Sequence, residues 1–171
     1  MKIISLVLAI GLFLPFLVLA EVYLSAEEAT KNVFPTLEKY DTESRIVDNQ
    51  EFKIFTVFAH DKIIGWSVVL EEMGKIKPIT FLVGIDTQDK VVGVYVLEYR
   101  DMFGSEIKRR SFLRQFPGKT ADDPLVVGRD IDAVTGATIS SQAATSAVRK
   151  SIQIIEELQK GDSHAKPMVQ H

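Results

Sequence analysis

The sequence predicts an α+β domain in which helices flank an antiparallel sheet built as a β-meander. Four segments between residues 52 and 99 are rich in β-branched and aromatic residues, and short polar connections separate them. Short connections favour antiparallel neighbours, because a parallel pair needs a crossover of a dozen or more residues. Helical patterns precede and follow these strands, at residues 25–34 and 140–159. This order predicts one sheet, with helices from both ends of the chain covering one of its faces.

Composition restricts the classes of function. The chain has 171 residues, which suits one domain, and its 20 basic and 23 acidic residues give a formal charge of −3. This balance argues against binding to nucleic acid. The absence of cysteine excludes disulfides and iron–sulfur ligation, and the three histidines form no pattern typical of a metal site. Any redox chemistry must therefore come from a bound organic cofactor.

The N-terminal segment has the features of an export signal. Lys2 forms a short positive region, an apolar run extends from Ile3 to Leu19, and Val18-Leu-Ala20 fits a small-residue cleavage site. An uncleaved membrane anchor is an open alternative, because the apolar run approaches the length of a spanning helix. Both interpretations place the domain outside the cytoplasm. We expect residues 1–20 to be the signal or anchor, residues 21–160 the folded domain and residues 161–171 a disordered tail.

The first helix has clear start and stop signals. Ser25 and Glu28 form the capping-box pattern, in which the side chain of each residue caps the backbone N–H of the other. Pro35 predicts an end at about Phe34. The polar residues 39–50 predict a loop with a short strand at about Arg45–Val47.

The strands follow in close succession. The pattern predicts strands at Phe52–Ala59, Ile63–Glu71, Ile79–Asp86 and Val91–Tyr99. His60 falls in the first connection, where a histidine is usually solvated, and Trp66 begins a strand, where a tryptophan usually belongs to the core.

The segment 101–130 is long for a simple connection and contains one predicted short helix, Arg109–Phe116. Positive charge is concentrated in the segment 101–130 and just before it. The residues are Arg100, Lys108, Arg109, Arg110, Arg114 and Lys119. Two interpretations are open: a solvated cationic face, or a set from which one or two side chains bind a phosphate or an acidic partner.

A turn leads from this segment into the last helix. Gly136 provides backbone freedom, Ala137 is small, and Thr138, Ser140 and Ser141 are hydroxyl residues of the kind that cap helices. The start of a helix presents unpaired N–H groups and so favours anions such as phosphate. The helix is predicted over residues 140–159, with a buried stripe along one side and Gly161 at its end.

Asp132-Ala-Val-Thr-Gly-Ala-Thr138 resembles the flavin-attachment motif of FMN-binding domain proteins, which include the G and C subunits of the Rnf and Na⁺-pumping quinone reductase complexes. The resemblance extends over about residues 23–155. It includes Gly65-Trp66, Lys77-Pro-Ile-Thr80, Glu98-Tyr-Arg100, Phe103-Gly-Ser-Glu-Ile107 and Phe112-Leu-Arg-Gln-Phe-Pro-Gly-Lys119. At residues 99–106 the sequence departs from the Glu-Thr-Pro-Gly-like sequence of Rnf-type relatives, which places the chain nearer to small stand-alone exported FMN-binding proteins.

The resemblance implies a covalent cofactor. FMN would be joined to Thr138 by a phosphoester bond that a dedicated flavin transferase forms, and Asp132 would help that transferase to recognise the site. The phosphate pocket would be shaped by Thr135, Gly136, Ala137, Ser140 and Ser141. The segment that passes the isoalloxazine ring in relatives would here supply Glu98, Arg100, Gly104 and Glu106.

The function predicted from this resemblance is that of an extracytoplasmic electron-transfer flavoprotein, more an electron carrier or redox subunit than a stand-alone enzyme, with no catalytic residue of its own. Its partners would be the transferase and either a redox protein or a membrane electron-transfer complex. Two alternatives are open. The chain could be a module that binds FMN without a covalent bond, or a structural domain in which the Gly-Ala-Thr turn only begins a helix.

Overall fold

The computed structural model describes residues 21–22 and 24–164, with side chains from Leu24 to Lys160. The predicted signal at 1–20 and residues 165–171 of the predicted tail lie outside the described residues. The six strands are β1 (Glu21–Val22), β2 (Lys39–Val47), β3 (Gln50–Ala59), β4 (Lys62–Met73), β5 (Pro78–Asp86) and β6 (Val91–Tyr99). The helices are α1 (Ala26–Val33), α2 (Arg110–Leu113) and α3 (Thr138–His164), with a 3-10 turn at Ser105–Lys108.

The strands form one antiparallel sheet in the order β1-β6-β5-β4-β3-β2. Strands β2 to β6 are neighbours in sequence as well as in space, so the predicted meander and the α+β class are confirmed. The two-residue β1 pairs with the end of β6, where Val22 lies opposite Glu98 and Glu21 opposite Tyr99. β6 has the bounds that the sequence predicted.

Helices cover both faces of the sheet, so the prediction that they cover one face is wrong. In β5, Phe81 and Val83 belong to the main core cluster with Val148 of α3, whereas Leu82 between them packs with Ala29 of α1. Successive side chains of a strand point to opposite faces. Because the central strands are apolar on both faces, each face needs a helix to exclude water from it.

The predicted loop at 39–50 is largely a strand. β2 pairs with β3 over its whole length, from Lys39 opposite Phe58 to Val47 opposite Gln50. Its first six side chains are exposed, which removes the alternation of apolar and polar residues that identifies a strand in a sequence. An edge strand beyond the helices is stabilised mainly by backbone pairing, and backbone pairing leaves no pattern in the sequence.

The helix predictions were mixed. The capping box of Ser25 and Glu28 and the end of α1 before Pro35 are confirmed. The short helix predicted at 109–116 is only the four-residue α2, preceded by the 3-10 turn. α3 continues past Gly161 to His164, so the predicted end at that glycine is wrong. Within the part of the chain that the structure describes, no helix has the length and apolar composition to cross a bilayer.

Candidate cofactor site

Three segments meet where α3 begins. They are the turn between β4 and β5, the residues that follow β6, and the turn that precedes α3. Between them lies an open cleft of ≈ 210 Å³. Its lining residues are Lys75, Phe103, Gly104, Gly136, Ala137, Thr138, Ile139 and Ser140. The structure therefore brings five of the predicted site residues together and adds three others.

Asp101 fixes one side of this cleft. One carboxylate oxygen accepts hydrogen bonds from the N–H groups of Ile76 (2.7 Å) and Lys77 (3.4 Å), and the other from Met102 (2.7 Å) and Phe103 (3.4 Å). Burial disfavours the charged form, but the four N–H donors more than compensate, so the pKa of Asp101 lies below its ordinary value of 3.8. One buried carboxylate thus ties the β4–β5 turn to the segment after β6.

A second set of contacts joins that segment to α3. The Tyr99 hydroxyl donates to the carbonyl oxygen of Phe103 and lies 3.1 Å from the Ser140 hydroxyl. Gly104 has φ +87°, and a Cβ atom there would lie 2.4 Å from the Ser140 oxygen. Ser140 is buried. Its hydroxyl therefore holds the start of α3 against the segment 101–104.

The turn before α3 is arranged differently. Ser141 is buried, and its hydroxyl accepts from the N–H of Val134 (3.2 Å) and donates to the carbonyl oxygen of Ala137 (2.9 Å). Gly136 has φ +78°, and a Cβ atom there would have no neighbour within 4 Å. The buried serine closes the turn from inside, while the glycine leaves its outer side open.

The expected hydroxyl cap of α3 is absent. The helix begins at Thr138, so Ala137 occupies the cap position and the predicted capping role of Thr138, Ser140 and Ser141 is wrong. An alanine has no oxygen with which to accept from the first-turn N–H groups. These donors and the positive end of the helix dipole therefore face the cleft without a side-chain cap, an arrangement that suits an anion.

Lys75 supplies a cation that the sequence did not identify. It is exposed, and its ammonium nitrogen lies 4.6 Å from the centroid of the Phe103 ring at the mouth of the cleft. The exposed hydroxyl-bearing residue Thr138 lines the same cleft. A phosphate placed there would meet a cation, helix N–H groups and an open surface at Gly136. Because Lys75 lies in a hairpin turn 63 positions from Thr138, no local pattern could have connected them.

Besides Ser141, five predicted site residues do not line the cleft, and Glu98 and Arg100 are two of them. Arg100 forms ion pairs with Glu71 (2.8 Å) and Glu98. These side chains lie on the face of the sheet opposite to the one on which Tyr99 contacts α3. Glu106 lies on the 3-10 turn. Asp132 borders a separate hollow, where its backbone pairs with the Gln115 side chain at 2.8 and 3.2 Å. Thr135 is exposed in the turn beside Gly136 but does not line the cleft.

A half-buried ion pair braces the chain that leads to the turn. The Lys119 ammonium lies 2.9 Å from Asp130 and 3.3 Å from Asp123. The hydrogen bond with Asp130 is the main reason why the pKa of Lys119 is raised. Asp130 is desolvated, but backbone N–H groups and Lys119 hold its pKa below the ordinary value. Asp130 also accepts from the N–H groups of Leu125 and Val126, so this network orders the segment before residue 131.

The cations of the predicted run therefore differ in their surroundings. Arg100 and Lys119 are paired with carboxylates, and Lys108 lies 5.7 Å from the Tyr99 ring centroid. Arg109, Arg110 and Arg114 are exposed and form no ion pair with any described residue.

Across residues 24–160, no group of three potential metal ligands comes together.

The chain is similar to known proteins. Residues 74–153 match the model of the FMN-binding domain family, and this range contains every residue that lines the cleft. One relative is the G subunit of the Na⁺-translocating ferredoxin:NAD⁺ oxidoreductase complex of Acetobacterium woodii. It is 30% identical over 112 residues, which is 60% of this chain and 54% of the relative.

A second relative is the G subunit of the proton-translocating ferredoxin:NAD⁺ oxidoreductase complex of Clostridium ljungdahlii. It is 31% identical over 100 residues, which is 54% of each of the two chains. The chain thus spans about half the length of the curated relatives that it matches. The resemblance that the sequence motifs carried is confirmed by these matches.

Proposed function

We propose that this chain is an electron-transfer flavoprotein with FMN joined to Thr138 by a phosphoester. The premise is that it is an FMN-binding domain protein similar to the G subunits of two ferredoxin:NAD⁺ oxidoreductase complexes. The observation that carries this proposal is the position of Thr138. Its side chain is exposed at the uncapped start of a long helix, in a cleft that also contains a lysine.

The residues around Thr138 suit a phosphate. The hydroxyl oxygen would form the ester bond, the first-turn N–H groups of α3 would donate to the free phosphate oxygens, and Lys75 would offset their charge. The open side of Gly136 leaves space next to the ester. Ser140 and Ser141 would support the site through the turn and the helix, because their hydroxyls are already engaged within the protein.

The size of the cleft supports a covalent tether. Its ≈ 210 Å³ is smaller than the roughly 300–1,000 Å³ of pockets that enclose small-molecule ligands. The ring system would therefore lie over the exposed apolar side chains that line the cleft, which are Phe103 and Ile139. A cofactor held this openly dissociates readily unless it is bonded to the chain. FMN supplies one- and two-electron transfer, and an exposed ring gives a redox partner access.

The remaining parts of the proposal concern maturation and place. A flavin transferase would attach the cofactor, with Asp132 as part of the sequence that it recognises. The N-terminal segment 1–20 would direct the domain outside the cytoplasm. There it would exchange electrons with a redox protein or a membrane electron-transfer complex, which is consistent with the complexes named for the two relatives.

Co-expression with a flavin transferase tests the attachment. We expect flavin fluorescence that stays with the polypeptide in denaturing electrophoresis, and an intact mass increased by one FMN less one water. Thr138→Ala should remove both signals. Thr135→Ala is the matched control, because it changes the other threonine of the same motif and should retain both.

Two other results would contradict the proposal. Fluorescence that is present in the native protein but lost on denaturation would indicate a module that binds FMN without a covalent bond. Absence of flavin from the wild-type protein, under conditions in which a known substrate of the same transferase is modified, would indicate a structural domain.

A further inference from the structure

A second groove lies along the edge of the sheet, apart from the cofactor cleft. Its volume is ≈ 540 Å³, and it shares no lining residue with the cleft. One side is the outer edge of β6 at residues 92–95, and the other is the segment 108–117. The side chains from that segment are Lys108, Arg110, Leu113, Arg114 and Pro117.

Among the described residues, the edge of β6 that borders this groove has partners only at its two ends. At one end, the carbonyl oxygen of Val91 accepts from Gly118 (2.7 Å), and its N–H donates to Lys119 (2.9 Å). At the other end, β1 covers Glu98 and Tyr99. From residue 92 to residue 97, no described residue pairs with the outer edge of β6. Unpaired backbone groups of this kind are a template for an added strand.

The opposite side of the groove is cationic and partly apolar. Arg110 and Arg114 are exposed, lie four residues apart on one helical turn, and form no ion pair with any described residue. Leu113 and Tyr95 are half-buried and provide apolar surface in the same groove. Like charges at this spacing repel each other, and an anionic ligand would relieve the repulsion. In a chain with net charge −3, this local excess of positive charge favours an acidic partner.

We propose that this groove binds an extended acidic segment of a partner protein, which adds to β6 as an edge strand. The partner's backbone would pair with the open edge between residues 92 and 97. Alternate side chains of a strand lie on one face. Acidic residues at every second position would therefore all face Arg110 and Arg114, and the residues between them would face away. This site is independent of the cofactor and needs no residue of the cleft.

A labelled peptide tests the proposal. The probe is a nine-residue peptide in which glutamate and valine alternate, and its binding to the full chain is followed by fluorescence anisotropy. We expect saturable binding that weakens with added salt, since exposed charges are screened. Amide hydrogen exchange at residues 92–97 should slow on binding, which would locate the peptide on the edge of β6.

Charge reversal supplies the decisive comparison. Arg110→Glu combined with Arg114→Glu should weaken binding about tenfold or more, because two attractive contacts become repulsive. The matched control is Lys62→Glu combined with Arg129→Glu, two exposed cations outside the groove, which changes the net charge equally and should leave binding within about twofold of the wild type. A peptide N-methylated at alternate residues keeps its charge but cannot pair along the edge, and it should bind about tenfold more weakly.

Several outcomes would overturn the proposal. Equal binding of the wild type and the groove variant, or of the plain and N-methylated peptides, would exclude strand addition at this edge. Binding to phosphatidylserine-containing vesicles without binding to the peptide would indicate a membrane surface instead. Self-association in analytical ultracentrifugation that the groove variant abolishes, again without peptide binding, would assign the groove to a second copy of this chain.

Discussion

The two sides of the cofactor cleft differ in how firmly they are held. The segment 101–104 is fixed by the four hydrogen bonds of buried Asp101 and by the contact between Gly104 and Ser140. The turn before α3 is held from inside by Ser141, but its outer side at Gly136 meets nothing, and Thr138 is exposed. This difference indicates a division of roles. One side is a rigid support, and the other presents the residue that we propose to be modified.

Asp101→Asn should have the largest effect, because it disrupts the rigid side. An amide would place N–H donors against backbone N–H groups, so we expect the free energy of unfolding at about pH 7 to fall by about 3 to 4 kcal/mol. Chemical denaturation measures the change. Asp132→Asn is the matched control, because its exposed side chain forms no hydrogen bond with any described residue, and it should cost less than about 0.5 kcal/mol.

The stability difference between the wild type and Asp101→Asn should depend on pH. The folded-state pKa of Asp101 lies below the ordinary value of 3.8, so its stabilisation is fully present above 3.8 and is lost as the pH falls through the lower, folded-state pKa. The wild type and Asp101→Asn should therefore become more similar in stability below about pH 3.8. A gap between them as wide at about pH 3 as at about pH 7 would contradict the role of the charged form.

A pair of glycine substitutions compares the two sides directly. Gly104 and Gly136 both have positive φ, +87° and +78°, so alanine is strained by about 1 kcal/mol at either position. Only Gly104→Ala adds a steric clash, with the Ser140 oxygen at 2.4 Å, and we expect a total loss of about 2 to 3 kcal/mol. Thermal and chemical denaturation of both variants would measure the difference. Equal losses would mean that the two sides are equally constrained.

Lys75→Gln should have the smallest effect. It should slow attachment of the cofactor without changing the stability of the fold. This exposed side chain contributes little to folding, but it is the cation that lines the cleft beside Thr138. We expect the rate of covalent flavin incorporation to fall about fivefold, with the free energy of unfolding unchanged. Lys77→Gln is the control in the same turn, because Lys77 does not line the cleft. An equal decrease in both variants would remove the specific role of Lys75.

The sequence located the turn that holds the proposed attachment residue, but not the surroundings of that turn. The turn is contiguous, so Gly136, Ala137 and Thr138 could be identified from the motif alone. Ser140 and Ser141 were identified as well, but as helix caps, because a sequence does not reveal which side of a first helical turn faces the core. Glu98 and Arg100 were assigned to the ring, yet the alternation of β6 turns Glu98 away from α3, and Arg100 pairs with Glu98 and Glu71.

The sequence by itself determined the strands β3 to β6, the meander, the start of α1 and the position of the flavin motif. These depend on side-chain period, short connections and local capping, all of which act between residues close in the chain. Only the tertiary structure decided that the helices cover both faces, that β2 is a full edge strand, and that Lys75 and Phe103 stand beside Thr138. These features depend on backbone pairing and packing between distant segments, which leave no local pattern in the sequence.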